Sequence, residues 1–295
     1  MKKKLLSLIL FTSLYSTFTT PVLAKENNII TPNTITTTVE TSNESSQVKI
    51  KNGWVNEYGY YYYYQNGVKL KNTFVTINNQ KYFLTSSGRR AESERLYIHG
   101  NYYYFNSKGI MHTGWRNTGY NWEYYGNDGA SYRNKWLKYG GEWYYFSSYG
   151  TMETGKVLID RQYYYFNGNG TMHTGWRYDG NYWEYYGSNG AAYESQWLLD
   201  GGYWYYLDAS GNASIGTDWI NGKKYFFNDN CTMYTGWKFD GYYWEYYGNN
   251  GAAYESQWLL DGGYWYYFDS VGDMVTGTHY INGVRYYFDS SGKMR

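Results

Sequence analysis

Along most of this chain, short stretches of alternating apolar and polar character are separated by Gly, Asn and Asp. Alternation with a period of two between turn-forming residues predicts β-strands, and an Asp-Gly or Asn-Gly pair between two strands predicts a tight hairpin. The pattern also repeats on a longer scale. Gly-Trp recurs at Trp54, Trp115, Trp176 and Trp237, each 61 residues after the last, and the later copies read MHTGW, MHTGW and MYTGW. Each copy divides into three units of roughly 20 residues, a length typical of stacked repeats. In the third copy these begin at Trp176, Trp197 and Trp219, with turn candidates Asp179-Gly180, Asp200-Gly201 and Asn221-Gly222. A lone hairpin is marginal in water, so the prediction is an all-β solenoid of about twelve stacked β-hairpins over residues 48–295.

The turns also set an expected register. A two-residue loop at 179–180 places Trp176 opposite Trp183, and the same arithmetic pairs Trp115 with Trp122, Trp136 with Trp143, Trp197 with Trp204, Trp237 with Trp244 and Trp258 with Trp265. Around Asn221-Gly222 and Asn282-Gly283 the pairs are instead Trp219 with Lys224 and Tyr280 with Arg285, so the third units read as spacers. Alternation turns Tyr144, Tyr205 and Tyr266 back toward the Trp pairs of the preceding units. Two indoles and a phenol then wall a box that suits a quaternary ammonium, at about 0.5–2 kcal/mol per good cation–π contact. Flat aromatic walls also suit stacking on sugar rings. The competing reading is that these rings are simply core.

Composition sharpens this picture. Aromatic residues are 24% of the 295, with 44 Tyr and 14 Trp, while charged residues are only 17%, so packing here is aromatic rather than aliphatic. The single cysteine, Cys231, excludes an intramolecular disulfide and cysteine-based metal clusters. Residues 1–24 read as a secretory signal peptide, with Lys2-Lys3-Lys4 ahead of an apolar run and Val22 and Ala24 at the cleavage region. Its removal takes the formal charge from +1 to about −2, which disfavours nucleic acid and anionic membranes as partners. Residues 25–47, rich in Thr, Ser and Asn, read as a disordered spacer.

The units resemble the choline-binding, or cell-wall-binding, repeats of Gram-positive surface proteins: Trp136, then Trp143-Tyr144-Tyr145-Phe146, then Gly150-Thr151-Met152-Glu153-Thr154-Gly155. The third units look more like the related glucan-binding repeats, as in Ile281-Asn282-Gly283-Val284-Arg285-Tyr286-Tyr287-Phe288. The resemblance implies hairpins in a left-handed superhelix, with choline of teichoic acid held between consecutive hairpins by two Trp of one and a Tyr of the next. It thereby implicates the six Trp pairs and the back-facing tyrosines. Two features depart from the pattern. The first units read WEYY, with Glu123, Glu184 and Glu245 expected to face water. Copy one sets Trp54 against Tyr61 and has Val75 where later copies have Trp136, Trp197 and Trp258, so binding is expected from copies two to four.

No metal-binding His/Glu spacing, nucleophile elbow or phosphate loop is present, and the repeats leave no room for a separate enzyme. Met111, Met172, Met233 and Met274 are expected to pack between hairpins. The expected protein is a secreted, non-catalytic binder without cofactor or metal, held non-covalently on the Gram-positive wall. Its partner is choline-bearing teichoic acid or another cell-wall polysaccharide. The alternatives are a glucan-binding protein and a structural rod that presents its N-terminal segment.

Overall fold

The computed structural model describes residues 50–295. The leader and spacer expected within residues 1–47 lie outside them. The described residues contain 25 strands and no helix, and the chain divides into two compact units between Ala91 and Glu92. The strands form twelve antiparallel hairpins, the first carrying a short extra strand, Val68–Lys69. This is the all-β hairpin array that the alternation predicts.

The register differs from expectation in the first and second units, for a reason that lies in the turns. In the second units the turn is centred one residue later. Asp200 pairs with Tyr203 around Gly201-Gly202, whose φ values of 56° and 85° are the left-handed pair that a type I′ turn requires and that glycine supplies without strain. In the first units of copies two to four the loop has four residues: the Asp179 carboxylate accepts from the backbone N–H groups of Asn181 and Tyr182, and Tyr178 pairs with Trp183. Trp176 therefore lies opposite Tyr185, and Trp197 opposite Tyr206. Copy one instead has a two-residue turn, with Glu57 paired to Tyr60, and Trp54 lies opposite Tyr63 rather than Tyr61. Moving a turn by one residue moves each partner by two, so every side chain keeps its face. The two Trp of each unit become diagonal neighbours on one face instead of directly opposed residues. The third units keep the expected pairs, Trp219 with Lys224 and Tyr280 with Arg285.

Within the second unit, the hairpins are tied in sequence by their connecting loops. A loop N–H that follows one hairpin donates to a carbonyl on the second strand of the hairpin before it: Met152 to Trp122, Met172 to Trp143, Ala213 to Trp183 and Met233 to Trp204, at 2.7–2.8 Å. Between these tethers the core is a column of fully buried rings and leucines, one per hairpin, which includes Phe105, Tyr125, Phe146, Phe166, Tyr186, Leu207 and Phe227.

The methionines pack between repeats as expected. A Cβ placed on Gly129, Gly170, Gly190, Gly251 or Gly292 would lie within 2.3 Å of the sulfur of Met111, Met152, Met172, Met233 or Met274, each 18 residues earlier. Where Ala213 stands at the methionine position, Cys231, 18 residues later, stands at the glycine position, and both are buried in one cluster with Leu198 and Leu207. The volume moves from one side of the contact to the other. Cys231 is thus a space-filling residue, and burial raises its thiol pKa.

Gly170→Ala will destabilise the chain by about 1–3 kcal/mol, because the new methyl meets the Met152 sulfur and φ is +81°. Adding Met152→Ala will recover the steric part and leave the backbone part. Denaturant midpoints of the two single variants and the double variant separate these terms, and strict additivity would refute the contact.

Candidate functional site

Six aromatic cages recur in the second unit, each built from the forward face of one hairpin and the back face of the next. In the first, Trp115 and Trp122 stand with ring centroids 6.2 Å apart and planes at 84°, and Tyr144 of the next hairpin lies 5.0 Å from Trp115. Trp176 and Trp183 with Tyr205, and Trp237 and Trp244 with Tyr266, repeat this geometry with Trp–Trp separations of 6.4 Å and Trp–Tyr separations of 4.8 Å. The three back-facing tyrosines expected from alternation are therefore at their cages.

The second units build the same box. Trp136 and Trp143 meet Tyr164, Trp197 and Trp204 meet Tyr225, and Trp258 and Trp265 meet Tyr286, with Trp–Tyr centroids 4.9–5.0 Å apart. Tyr164, Tyr225 and Tyr286 belong to the third-unit hairpins, which are walls of a cage as well as spacers. The alternation that singles out Tyr205 singles them out too, once the third units are allowed a back face.

Exposure separates the two tryptophans of each pair. The first packs edge-on against rings of its own and the next hairpin, as Trp176 does against Tyr185 and Tyr205. The second is 37–45% exposed in all six cages, at Trp122, Trp143, Trp183, Trp204, Trp244 and Trp265. Each second indole thus keeps part of a large apolar face open to solvent. In two cages a carboxylate from the next hairpin sits at the rim: Trp176 Nε1 donates to Asp200 and Trp237 Nε1 to Asp261, both at 2.9 Å. These aspartates belong to the turn pairs, and their second role is not visible in the turn pattern.

The third junction of each of the first three super-repeats is closed, which corrects the expectation for the WEYY glutamates. Glu123, Glu184 and Glu245 are 3–4% exposed and face back into the preceding hairpin, at the place where second-unit hairpins carry Tyr144, Tyr205 and Tyr266. Opposite them the cage tryptophans are replaced by cations. Lys156 stands at the first-Trp position and bonds Glu184 at 2.8 Å, Arg95 at the same position lies 3.6 Å from Glu123, and Lys224 at the second-Trp position bonds Glu245. A further cation completes two of the junctions: Arg177 pairs with Glu184 at 2.7 Å while its guanidinium covers Tyr165, and Arg116 does the same with Glu123 and Tyr104. Burial alone would raise the Glu184 carboxyl, but hydrogen bonds from Lys156, Tyr186 and Arg177 hold it below its ordinary value. Burial, with the glutamate beside it, pushes the Tyr186 phenol up. An internal ion pair thus fills the space that is an open cage at the other two junctions.

His112 and His173, at one repeat position, each place Nε2 3.1–3.2 Å from the carbonyl of the following Trp, and Tyr234 donates its hydroxyl to the same carbonyl in copy four. Their shared role is to donate to a backbone carbonyl. In copy one, Phe74 occupies the place of Trp136, and Val75 lies on the other face, because the chain there is offset by one residue relative to the later copies.

Two family models match this chain. The choline-binding repeat matches residues 261–295, and the cell wall binding repeat matches 72–89, 96–111, 134–152, 158–172 and 195–213. Among solved structures, choline binding protein F of Streptococcus pneumoniae is similar over 83% of this chain and 99% of that one, with 22% identity and a TM-score of 0.65, a likeness of fold. CbpJ of Streptococcus pneumoniae TIGR4 aligns over 82% of this chain and 93% of its own at 25% identity, with a TM-score of 0.48. No curated protein matches the chain.

Glu184→Gln leaves Lys156 and Arg177 facing a neutral amide and will cost about 1–3 kcal/mol at neutral pH, less than for a fully buried pair because both cations reach solvent. The sign of its pH dependence follows from the depressed carboxyl. Its contribution is complete above the unfolded value of 4.5 and is lost as pH falls through the folded value below that. Denaturant titrations at neutral pH and at steps below pH 4.5 will show the gap between wild type and variant narrowing as pH falls. A constant gap would refute the ion-pair account.

Proposed function

Since this chain carries choline-binding, cell-wall-binding repeats, which are binding modules, we propose that it is a secreted, multivalent wall protein that recognises choline on teichoic acid through the six open cages. The leader exports it, and the cages hold it on the Gram-positive wall without a covalent link. One observation carries this reading: in every cage two indoles stand nearly perpendicular, a tyrosine closes a third side, and the second indole is left open to solvent.

Three mutually inclined ring faces enclose a compact cation better than they stack on a flat pyranose, which favours choline over glucan. A trimethylammonium offers no N–H donor, so ring quadrupoles rather than hydrogen bonds must supply the attraction, at about 0.5–2 kcal/mol each. The aspartates at the rims of two cages add favourable potential for a cation. A single cage of this kind gives roughly millimolar affinity, about 4 kcal/mol. On a polymer bearing many cholines, six cages on one chain act together, and avidity exceeds any single affinity by about 100-fold or more.

Residues 25–295 will be retained on an immobilised quaternary amine and released by free choline but not by salt. Trp183→Ala will fold and lower choline stoichiometry by one, since the exposed indole contributes more to the cage than to packing. Flow-through of folded protein would end the choline reading, and elution by an oligosaccharide instead would support the glucan one.

A further inference from the structure

The first super-repeat also builds a cage, and it is already occupied. Trp54 and Tyr82 stand 5.1 Å apart at 67°, the arrangement of the six open cages, with Tyr61 at the place of the second tryptophan. The Arg90 guanidinium carbon lies 4.2 Å from the Tyr61 ring centroid, 5.1 Å from Trp54 and 6.0 Å from Tyr82. All three walls of this cage face one cation that the chain itself supplies.

Arg90 reaches this place through the tether that the other repeats use. Its N–H donates to the Tyr61 carbonyl at 2.7 Å, as Met152 does to Trp122 and Met172 to Trp143. At this loop position the six open cages have Met152, Met172, Ala213, Met233, Met274 and Met294, all uncharged. The copy with arginine here is the copy with the guanidinium over its rings.

We propose that the cage of Trp54, Tyr61 and Tyr82 is a cation site whose resident ligand is Arg90, so that this cage is closed to external quaternary ammonium while the six later ones are open. The proposal rests on reading the open cages as cation sites. The energetics favour closure. Even a flexible tether presents its ligand at millimolar effective concentration, and a side chain fixed by a backbone hydrogen bond presents it higher. Free choline, with roughly millimolar affinity for one cage, does not compete with an occupant on those terms. Removing the guanidinium opens a seventh site, of lower affinity than the rest because Tyr61 replaces an indole.

Two measurements test this, and the first needs no choline. In the NMR spectrum of residues 25–295, the Arg90 Nε–H and δ-methylene signals will be shifted upfield by ring currents, and Trp54→Ala will return them toward ordinary arginine positions. The second counts choline by equilibrium dialysis and follows the Trp54 indole N–H. Wild type will bind six, with the Trp54 signal unmoved. Arg90→Met, which installs the residue that five open cages carry, will bind seven with Trp54 moving, and Arg90→Gln will do the same if the methionine disturbs folding. Unshifted Arg90 signals, a wild-type Trp54 that responds with the other cages, or six sites in both folded variants would overturn the proposal. If the wild-type chain binds no choline at all, the choline reading fails, and the Arg90 ring-current shift alone decides the occupancy.

Discussion

A two-stranded hairpin has two faces and no means of burying either one. Everything else in this protein follows from having to cover one hairpin with the next. The solution is the same at each junction in the second unit: a loop N–H reaches back to a carbonyl of the preceding hairpin, and a large ring from the new hairpin's back face settles against the old hairpin's front. The backbone bond fixes the spacing and direction, and period-two alternation decides which residues meet. A repeat of roughly 20 residues is about the shortest that can provide two strands, a turn and the returning loop.

Within the second unit, that geometry leaves a recess between successive hairpins, and the sequence determines what fills it. Two junctions of each of the last three super-repeats are lined by Trp, Trp and Tyr and left open. The third junction of each of the first three has a cation in place of an indole and a glutamate in place of the tyrosine, and these neutralise one another in the same space. The 61-residue period is therefore a period in chemistry laid over a shorter period in structure. The exchange is conserved in charge while its position varies: Arg95 and Lys156 take the first-Trp place, whereas Thr217 stands there in the next copy and Lys224 supplies the charge from across the strand pair.

Much of this was legible in the sequence because it depends on parity. The turn centres were misplaced by one residue in the Asp-Gly units, since Asp200-Gly201-Gly202 offers two overlapping turn pairs and the glycine pair is the one that accepts left-handed φ at both positions without strain. The cage residues survived that error because a shift of the turn by one leaves each face intact. What alternation cannot show is which residue of a neighbouring repeat lies across the junction. Glu184 looks like a surface carboxylate until Lys156, 28 residues earlier, is placed beside it. The same blindness hid the tyrosines of the third units, whose own strands lack a tryptophan pair. In copy one, a one-residue offset disguised Phe74 as Val75.

The two members of each tryptophan pair differ in how much of the indole is covered. The first indole packs against rings of its own strand pair and the next hairpin, so its energy belongs largely to stacking. The second lies diagonally across the same face and remains over a third exposed in all six cages, so its energy is held in reserve. Copy one offers the internal comparison. Where a guanidinium is already present, the second indole has been replaced by Tyr61, and the ring stands over that cation at 4.2 Å. The open cages differ from this one in having uncharged residues where Arg90 stands.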